Sequence, residues 1–393
     1  MNRINDLALL QIEQYDTRRF LHTKANVKMG ISTARLKWTA RLKLTKYLSY
    51  GLGIVGANLV IGSGVNVIER MVWKKVQKKI AILKSHGLKV VAIAGSYGKT
   101  SVKHYAYELL KRKYRVVATP ASFNTVMGIA KCLEYEVDDK TQVFLVEVGA
   151  YHIGDITSLL EMVSPDIGVL TGIARQHLER FGSFENIVQA KLEIAEFMSQ
   201  KNKTLIANES DSTVQENVEK LGLTPTWYRG NDRKEINLDG GRKIALAIGM
   251  TKDEIDSIKI SDPRSRFEMT TERYGMKVID DSFSSNDKGF VDAVNHLSKE
   301  KKYTRILVTP GLVELGSESG KVHEQLGQSI VGNVDYVILV GHSERTRSLE
   351  RGMGGKVKVI YIDKTLDFMQ TVADLKLKKE PLVLLENDVT ENY

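Results

Sequence analysis

Val90-Val-Ala-Ile-Ala94 runs directly into Gly95-Ser-Tyr-Gly-Lys-Thr-Ser101, and the chain continues into a helical pattern from Val102 to Leu110. An apolar strand, a glycine loop ending in Lys-Thr, and a helix, in that order, make a phosphate cradle. Gly95 and Gly98 let backbone N–H groups close around phosphate oxygens, so Ser96, Tyr97 and Ser101 join them as candidate nucleotide-binding residues. Lys99 can reach the β- and γ-phosphates, and the Thr100 hydroxyl can ligate Mg²⁺ at the helix N-terminus. A nucleoside triphosphate is the implied ligand. The loop is two residues shorter than the G-x-x-x-x-G-K-[ST] pattern, so the loop alone leaves the class of nucleotide enzyme open.

Working outward, apolar runs alternate with helical patterns from about 88 to 260. Lys89 to Ala94, Arg115 to Ala118, Gln142 to Val148, Ile167 to Thr171 and Thr204 to Ala207 read as strands. This predicts an α/β, P-loop-type central ATPase domain with a mostly parallel sheet. Ligand groups should cluster at the carboxyl ends of its strands, where Gly95, Glu147, Thr171 and Asn208 fall. A polar, strand-poor stretch from Tyr228 to Pro263 reads as the join to a further unit. There the alternation resumes at Met276 to Ile279, Arg305 to Val308, Tyr336 to Val340, Val357 to Ile362 and Leu382 to Leu385. A smaller Rossmann-like C-terminal domain is the economical reading. The expected division is 1–88, 89–262 and 263–393.

Residues 1–88 read as a mainly helical N-terminal segment. The net charge of +9 is concentrated in the first 90 residues, in Arg18-Arg19, Arg35 to Lys46 and Lys74 to Lys84, so acidic partners should meet this segment. Tyr47 to Ile68 has no charged residue and the length of a membrane span, but it carries Asn58, Asn66 and five glycines. ATP places the later domains in the cytoplasm, and a single span would put the basic N-terminal arm on the opposite side, against the preference of such charges. An interfacial or re-entrant segment against anionic lipid at the cytoplasmic face, or a buried core hairpin, are the two readings. No secretory signal is apparent, and the one cysteine, Cys132, excludes an internal disulfide framework or a Cys-based zinc site.

Several segments then act together. Beside the phosphate loop stand Asn124-Thr-Val-Met-Gly128, Glu147-Val-Gly149, Thr171-Gly-Ile-Ala-Arg-Gln-His177-Leu-Glu-Arg-Phe-Gly-Ser183, Ala190-Lys191-Leu-Glu193, Arg266-Phe-Glu268 and Ile279-Asp-Asp-Ser-Phe-Ser-Ser-Asn286. In this order, over residues 88 to 393, they resemble the Mur ligase family. The His177 run, the Asp281 run and Val313-Glu-Leu-Gly316 look most like the branch that adds D-Ala-D-Ala to UDP-N-acetylmuramoyl-tripeptide in peptidoglycan precursor synthesis.

The resemblance implies ATP-dependent amide formation. A substrate carboxylate attacks the γ-phosphate, and an amino acid or dipeptide amine displaces the resulting acyl phosphate. Two Mg²⁺ ions are implied, Thr100 holding the first, and Glu147 with His177 the second. Lys191 matches a family lysine that becomes carbamylated and supports that second ion. The resemblance further implies that Asn124 orients the acyl phosphate, that Arg266 reaches the triphosphate, that Asp281 meets the ribose, and that Asn208 and Asn286 contact the nucleotide. Lys99, Asn124, His177 and Lys191 are thus the candidate catalytic groups.

Departures from the family pattern fall near the amine site and at the N-terminus. Asp287 follows Asn286 where proline is usual, Ser284-Ser285 replace Asn-Ala, and Thr309-Pro310-Gly311 stands for Gly-Asp-Met. The α/β domain that usually binds the UDP end is not recognisable in residues 1–88. A different or lipid-linked muramoyl-peptide acceptor, met at the membrane surface, is therefore the alternative to a UDP-linked one. A nucleotide-gated scaffold is disfavoured by the intact Lys99, Thr100, Glu147, His177 and Lys191. Nucleic-acid binding lacks any groove-reading or aromatic-interleaved motif.

Overall fold

In the computed structural model the described residues are 67–120, 123–260, 269–270, 275–281 and 286–386, together with Thr45. Contacts divide the chain into a unit ending at Lys75 and a second unit from Val76 to Glu391. Residues 67–85 are helical, as expected for the N-terminal segment. Of the stretch 47–68, on which the membrane reading rested, residues 47–66 lie outside the described residues. Among the described residues no helix is long and apolar enough to cross a membrane.

The second unit contains two six-stranded sheets. The first comprises β1 (Lys89–Ala94), β2 (Val116–Ala118), β3 (Val143–Glu147), β4 (Ile167–Leu170), β5 (Thr204–Asn208) and β6 (Thr226–Tyr228), all parallel, in the order β2-β3-β1-β4-β5-β6. Its central strands are continuous apolar runs because helices cover both faces. On one face Val91, Ile93, Leu145, Val169 and Ile206 pack against Val102, Ala106, Leu109 and Ile244. The chain runs from β1 to β2 and back to β3 on one side of β1 and then crosses to β4 on the other, so the crevice of the fold opens beyond the carboxyl end of β1. Register pairs Ile93 with Glu147, Ala94 with Leu170, and Leu170 with Ala207. Gly95, Glu147, Thr171 and Asn208 are therefore aligned along one sheet edge, as the strand reading required.

The second sheet comprises β7 (Met269–Thr270), β8 (Lys277–Asp281), β9 (Thr304–Thr309), β10 (Tyr336–Val340), β11 (Lys358–Ile362) and β12 (Pro381–Glu386). Its order is β11-β10-β9-β12-β8-β7, parallel except for the short β7 at its edge. Ile306, Val308, Ile338, Val383 and Phe368 form its core.

The strand-poor stretch after Tyr228 holds a helix that the sequence reading did not place. Arg233–Ile248 is capped by Asp232, which accepts from Glu235 N at 2.9 Å, and by Gly249 in the left-handed region. Gly240-Gly241 in its middle weaken the local helix signal. In the tertiary structure they let this helix lie against the phosphate-loop helix Lys99–Leu110. A Cβ at Gly241 would meet Tyr105 Cβ at 2.6 Å and Ala106 N at 2.9 Å. Gly241→Ala is therefore expected to overpack this contact and cost about 1–3 kcal/mol in urea unfolding; an unchanged midpoint would show that the helices can separate freely.

Candidate active site

The phosphate loop is fixed from behind by the segment following β4. Gly95 has φ 146°, and a Cβ there would lie 2.1 Å from Thr171 Oγ1. Ser96 N donates to Gly172 O at 2.6 Å, and Ser96 Oγ to Ala174 O at 3.2 Å. Tyr97 pairs with Gly172 in an antiparallel bridge, and Gly98 opens the helix at φ 85°. Lys99 Nζ donates to Gly95 O at 2.6 Å and Ser96 O at 3.3 Å, which folds the ammonium over the loop. Desolvation lowers its pKa, opposed by the charge of Glu147. Thr100 is exposed and Ser101 half-buried.

One turn beyond Lys99, on the same helix face, Lys103 enters the site. Its Nζ lies 2.6 Å from Glu147 Oε1 and 2.5 Å from Thr119 O, and both side chains are buried. Glu147 N donates to Thr119 Oγ1 at 3.0 Å. Asn124 reaches the same strand end: its carbonyl accepts from Gly149 N at 3.0 Å, and a Cβ on Gly149 would strike its side-chain Cγ at 2.9 Å.

Lys191, on the helix Phe184–Gln200, is 5% exposed. Desolvation, then the nearby Lys99 charge, depress its pKa to about 7 from 10.5. Unfolded, this lysine binds more protons than the native one between those two values, so its contribution to stability rises with pH from about 7 to 10.5. Lys191→Met is expected to flatten that part of the stability–pH curve; an identical slope in the variant would count against a depressed pKa. Two residues along, Glu193 accepts from Gly154 N at 2.5 Å and Thr157 N at 2.8 Å, capping the helix Asp155–Val163.

The second sheet's domain closes over this edge. Glu314 takes a hydrogen bond from His177 Nδ1 and from Arg180 Nε (3.2 Å) and Nη2 (3.0 Å). Burial alone would raise its pKa, but the bonds and charges of His177 and Arg180 outweigh that and hold it at about 2. The Glu314 loop is anchored by buried His323, whose Nε2 accepts from Leu312 N at 2.9 Å and whose Nδ1 lies 2.6 Å from Ser319 O. Desolvation drops the His323 pKa to about 4, which keeps the ring neutral for both roles. Asp287, the departure from the family pattern, pairs with Arg175 Nη1 at 2.9 Å. Lys288 pairs with Asp211 at 2.9 Å, and Tyr97 O–H donates to the same carboxylate.

Beside these bridges a cavity of about 550 Å³ is lined by Tyr97, Gly98, Asn208, Tyr228, Lys288 and Asp292, among others. Asn208 is buried, with Oδ1 accepting from Ser210 N at 3.0 Å. Asp281 is buried at the end of β8, level with Glu386 of β12. Asn286 caps the helix Asp287–Ser298 by accepting from Gly289 N at 2.8 Å. Neither is among the described residues that line the cavity. Arg266 lies outside the described residues.

Among the described residues no three His, Cys, Asp or Glu side chains converge on a metal position. The Thr100 hydroxyl at the helix N-terminus and the Glu147 carboxylate at a neighbouring strand end are oxygen donors of the kind Mg²⁺ takes. Glu147 and His177, expected to share an ion, each hold a protein partner, Lys103 and Glu314. Sequence reading assigned no role to Lys103, Glu314, Arg180 or Asp211. Lys103 had a signal in its four-residue spacing from Lys99, and Glu314 in being the charged residue of Gly311 to Gly316.

A glycine phosphate loop at the switch point of a parallel sheet, with a nucleotide-sized cavity shared by a second domain, defines a two-domain nucleotide-binding protein. Comparison with known proteins narrows this class. The Mur ligase middle domain matches residues 93–280, and the Mur ligase glutamate ligase domain matches 265–386. The chain belongs to the Mur ligase family. It is 25% identical over 337 residues to the UDP-N-acetylmuramoyl-tripeptide–D-alanyl-D-alanine ligase of Mycobacterium tuberculosis, a match covering 74% of this chain and 66% of the relative. The chain thus spans just under two thirds of that relative's length. It is 23% identical over 380 residues to the ligase of the same name from Borreliella burgdorferi, covering 86% and 79%. In fold it is similar to MurF from Thermotoga maritima in complex with ADP, with TM-score 0.67, 22% identity, and coverage of 81% and 80%.

Proposed function

We propose that the chain is an ATP-dependent ligase that forms an amide through an acyl phosphate, adding D-Ala-D-Ala to UDP-N-acetylmuramoyl-tripeptide in peptidoglycan precursor synthesis. The observation that carries this reading is the position of Lys99, folded over the phosphate loop beside a cavity whose other wall comes from the C-terminal domain. The activity by which those relatives are named supports the choice of substrates. In this reading residues 89–262 bind ATP, residues 263–393 close the cleft, and residues 1–88 meet the acceptor.

Lys99 steadies the β- and γ-phosphates, and Asn124 orients the acyl phosphate or a magnesium-bound water. Thr100 holds one Mg²⁺; Glu147, His177 and a carbamylated Lys191 hold a second. Bound magnesium neutralises the charge that builds up during phosphoryl transfer. A lysine amine with pKa about 7 is partly neutral at neutral pH and can add to carbon dioxide, which favours carbamylation of Lys191. Asn208 and Asn286 contact the nucleotide, Arg266 its triphosphate and Asp281 its ribose. Closure expels water that would hydrolyse the acyl phosphate.

A second reading, a lipid-linked acceptor at an anionic cytoplasmic membrane face, is favoured by the exposed Ile68, Met71 and Ile82 among exposed Lys74, Lys75 and Lys78. One assay separates the two. Phosphate release from ATP is measured with UDP-N-acetylmuramoyl-tripeptide, with or without D-Ala-D-Ala, and in parallel with lipid-linked acceptor in anionic vesicles. Turnover requiring tripeptide and dipeptide supports the first reading; turnover only with vesicles supports the second; none with either refutes both.

A further inference from the structure

Four non-glycine residues among the described ones have positive φ: Ser164, His177, Asn202 and Glu314. Two of these, His177 and Glu314, both at φ 57°, bond to each other across the two sheet domains. A left-handed glutamate is uncommon and strains the backbone, so it persists only where its surroundings impose it. The surroundings here do so at several points. Gly311 N donates to Thr309 Oγ1 at 3.0 Å, His323 holds Leu312 N, and Glu179 N donates to Glu314 O at 2.9 Å. A Cβ at Gly311 would lie 2.7 Å from His323 Nε2, so the loop is also packed tightly on its anchor.

The His177 ring is oriented on its other side as well. Tyr151 meets it edge-on, with ring centroids 5.2 Å apart, and the Arg180 guanidinium lies 4.6 Å from the centre of the Tyr151 ring. Glu314 side-chain oxygens thus bind an Arg and a His that are already held against a common aromatic ring. A carboxylate can only accept, so its bond to Nδ1 keeps a proton there. In the neutral ring this leaves Nε2 with its lone pair, ready to accept a hydrogen bond or to ligate a cation.

We propose that Glu314 is a positioning residue for His177: docking of the C-terminal domain delivers its carboxylate to Nδ1 and thereby selects the ring tautomer that the phosphate site uses. This rests on the reading of His177 as a phosphate-site group. It makes assembly of that site conditional on domain closure, because no other acceptor for Nδ1 is recorded among the described residues.

The test uses full-length protein with isotope-labelled histidine, comparing wild type, Glu314→Ala and Glu314→Gln. His177→Gln identifies the ring signals. NMR ring-nitrogen shifts report which nitrogen carries the proton, with or without ligase turnover. The expected wild-type ring is protonated at Nδ1. Glu314→Ala should lose that preference and lower kcat about 10- to 100-fold, with the KM for ATP changed less than about twofold. Glu314→Gln, whose amide oxygen still accepts, should restore the tautomer and part of the rate. Unchanged ring shifts in Glu314→Ala, or a change confined to KM, would overturn the proposal. Should the wild type show no ligase turnover, the ring shifts alone decide it, and the loss of activity counts only against the functional reading.

Discussion

Lys99→Ala is expected to lower ATP-dependent phosphate release about a thousandfold, the scale for removing a charge aimed at the transition state. The ammonium is held by the loop's own carbonyls, Gly95 O at 2.6 Å and Ser96 O at 3.3 Å, and so is placed before the nucleotide arrives. It is half-buried, and its loss leaves two backbone oxygens at the mouth of a ligand site, so the fold should survive. The change should also reach Lys191. The Lys99 charge is one cause of the depressed Lys191 pKa, so its removal should let that pKa rise and leave more ammonium at neutral pH. Steady-state phosphate release with near-ultraviolet circular dichroism as the folding control checks this. A folded variant within tenfold of wild type would remove Lys99 from the chemistry.

Lys103→Met should lose about 3–5 kcal/mol of stability, the usual result of stripping one partner from a buried ion pair. Lys103 is 6% exposed and Glu147 2%, at 2.6 Å. Without Lys103, Glu147 is a carboxylate enclosed at the end of β3, and Thr119 O loses its donor. Glu147→Gln in the same chain removes the stranded charge, so the double variant should recover much of the loss. Chemical denaturation of the three variants is the measurement. A single variant within about 1 kcal/mol of wild type would show that Glu147 finds solvent or another cation.

Lys103 and Glu314 show what linear sequence conceals. Lys99 and Glu147 stood out because each sits in a local pattern, a glycine loop or a strand end, whereas His177 and Lys191 were picked out through the family resemblance. The spacing of Lys103 from Lys99 sets both on one helix face, but nothing local shows what Lys103 pairs with. Its burial follows from β3 delivering Glu147 beside it, a contact across 44 positions of chain. Glu314 lies 137 positions from His177, and nothing local relates them. The Arg233–Ile248 helix was missed because its glycines lower local helix propensity, while the packing that needs them involves a helix more than a hundred positions earlier.

The sequence by itself determined the elements whose information is local. The phosphate loop, ten of the twelve strands in outline, all but the short β6 and β7, and the alternation that makes both sheets mostly parallel were legible from apolar runs and glycine positions. So was the strand edge on which Gly95, Glu147, Thr171 and Asn208 lie, because a parallel sheet places successive carboxyl ends together. Only the tertiary structure decided the partners of the charged groups. Ion pairs depend on which side chains share a volume with little water, and that is set by packing between domains. The short β6 strand exists through its register on β5, Asn208 against Tyr228, rather than through its own three residues. The fold was therefore readable from periodicity, whereas the pairing of Glu147 with Lys103 and of His177 with Glu314 had to be seen.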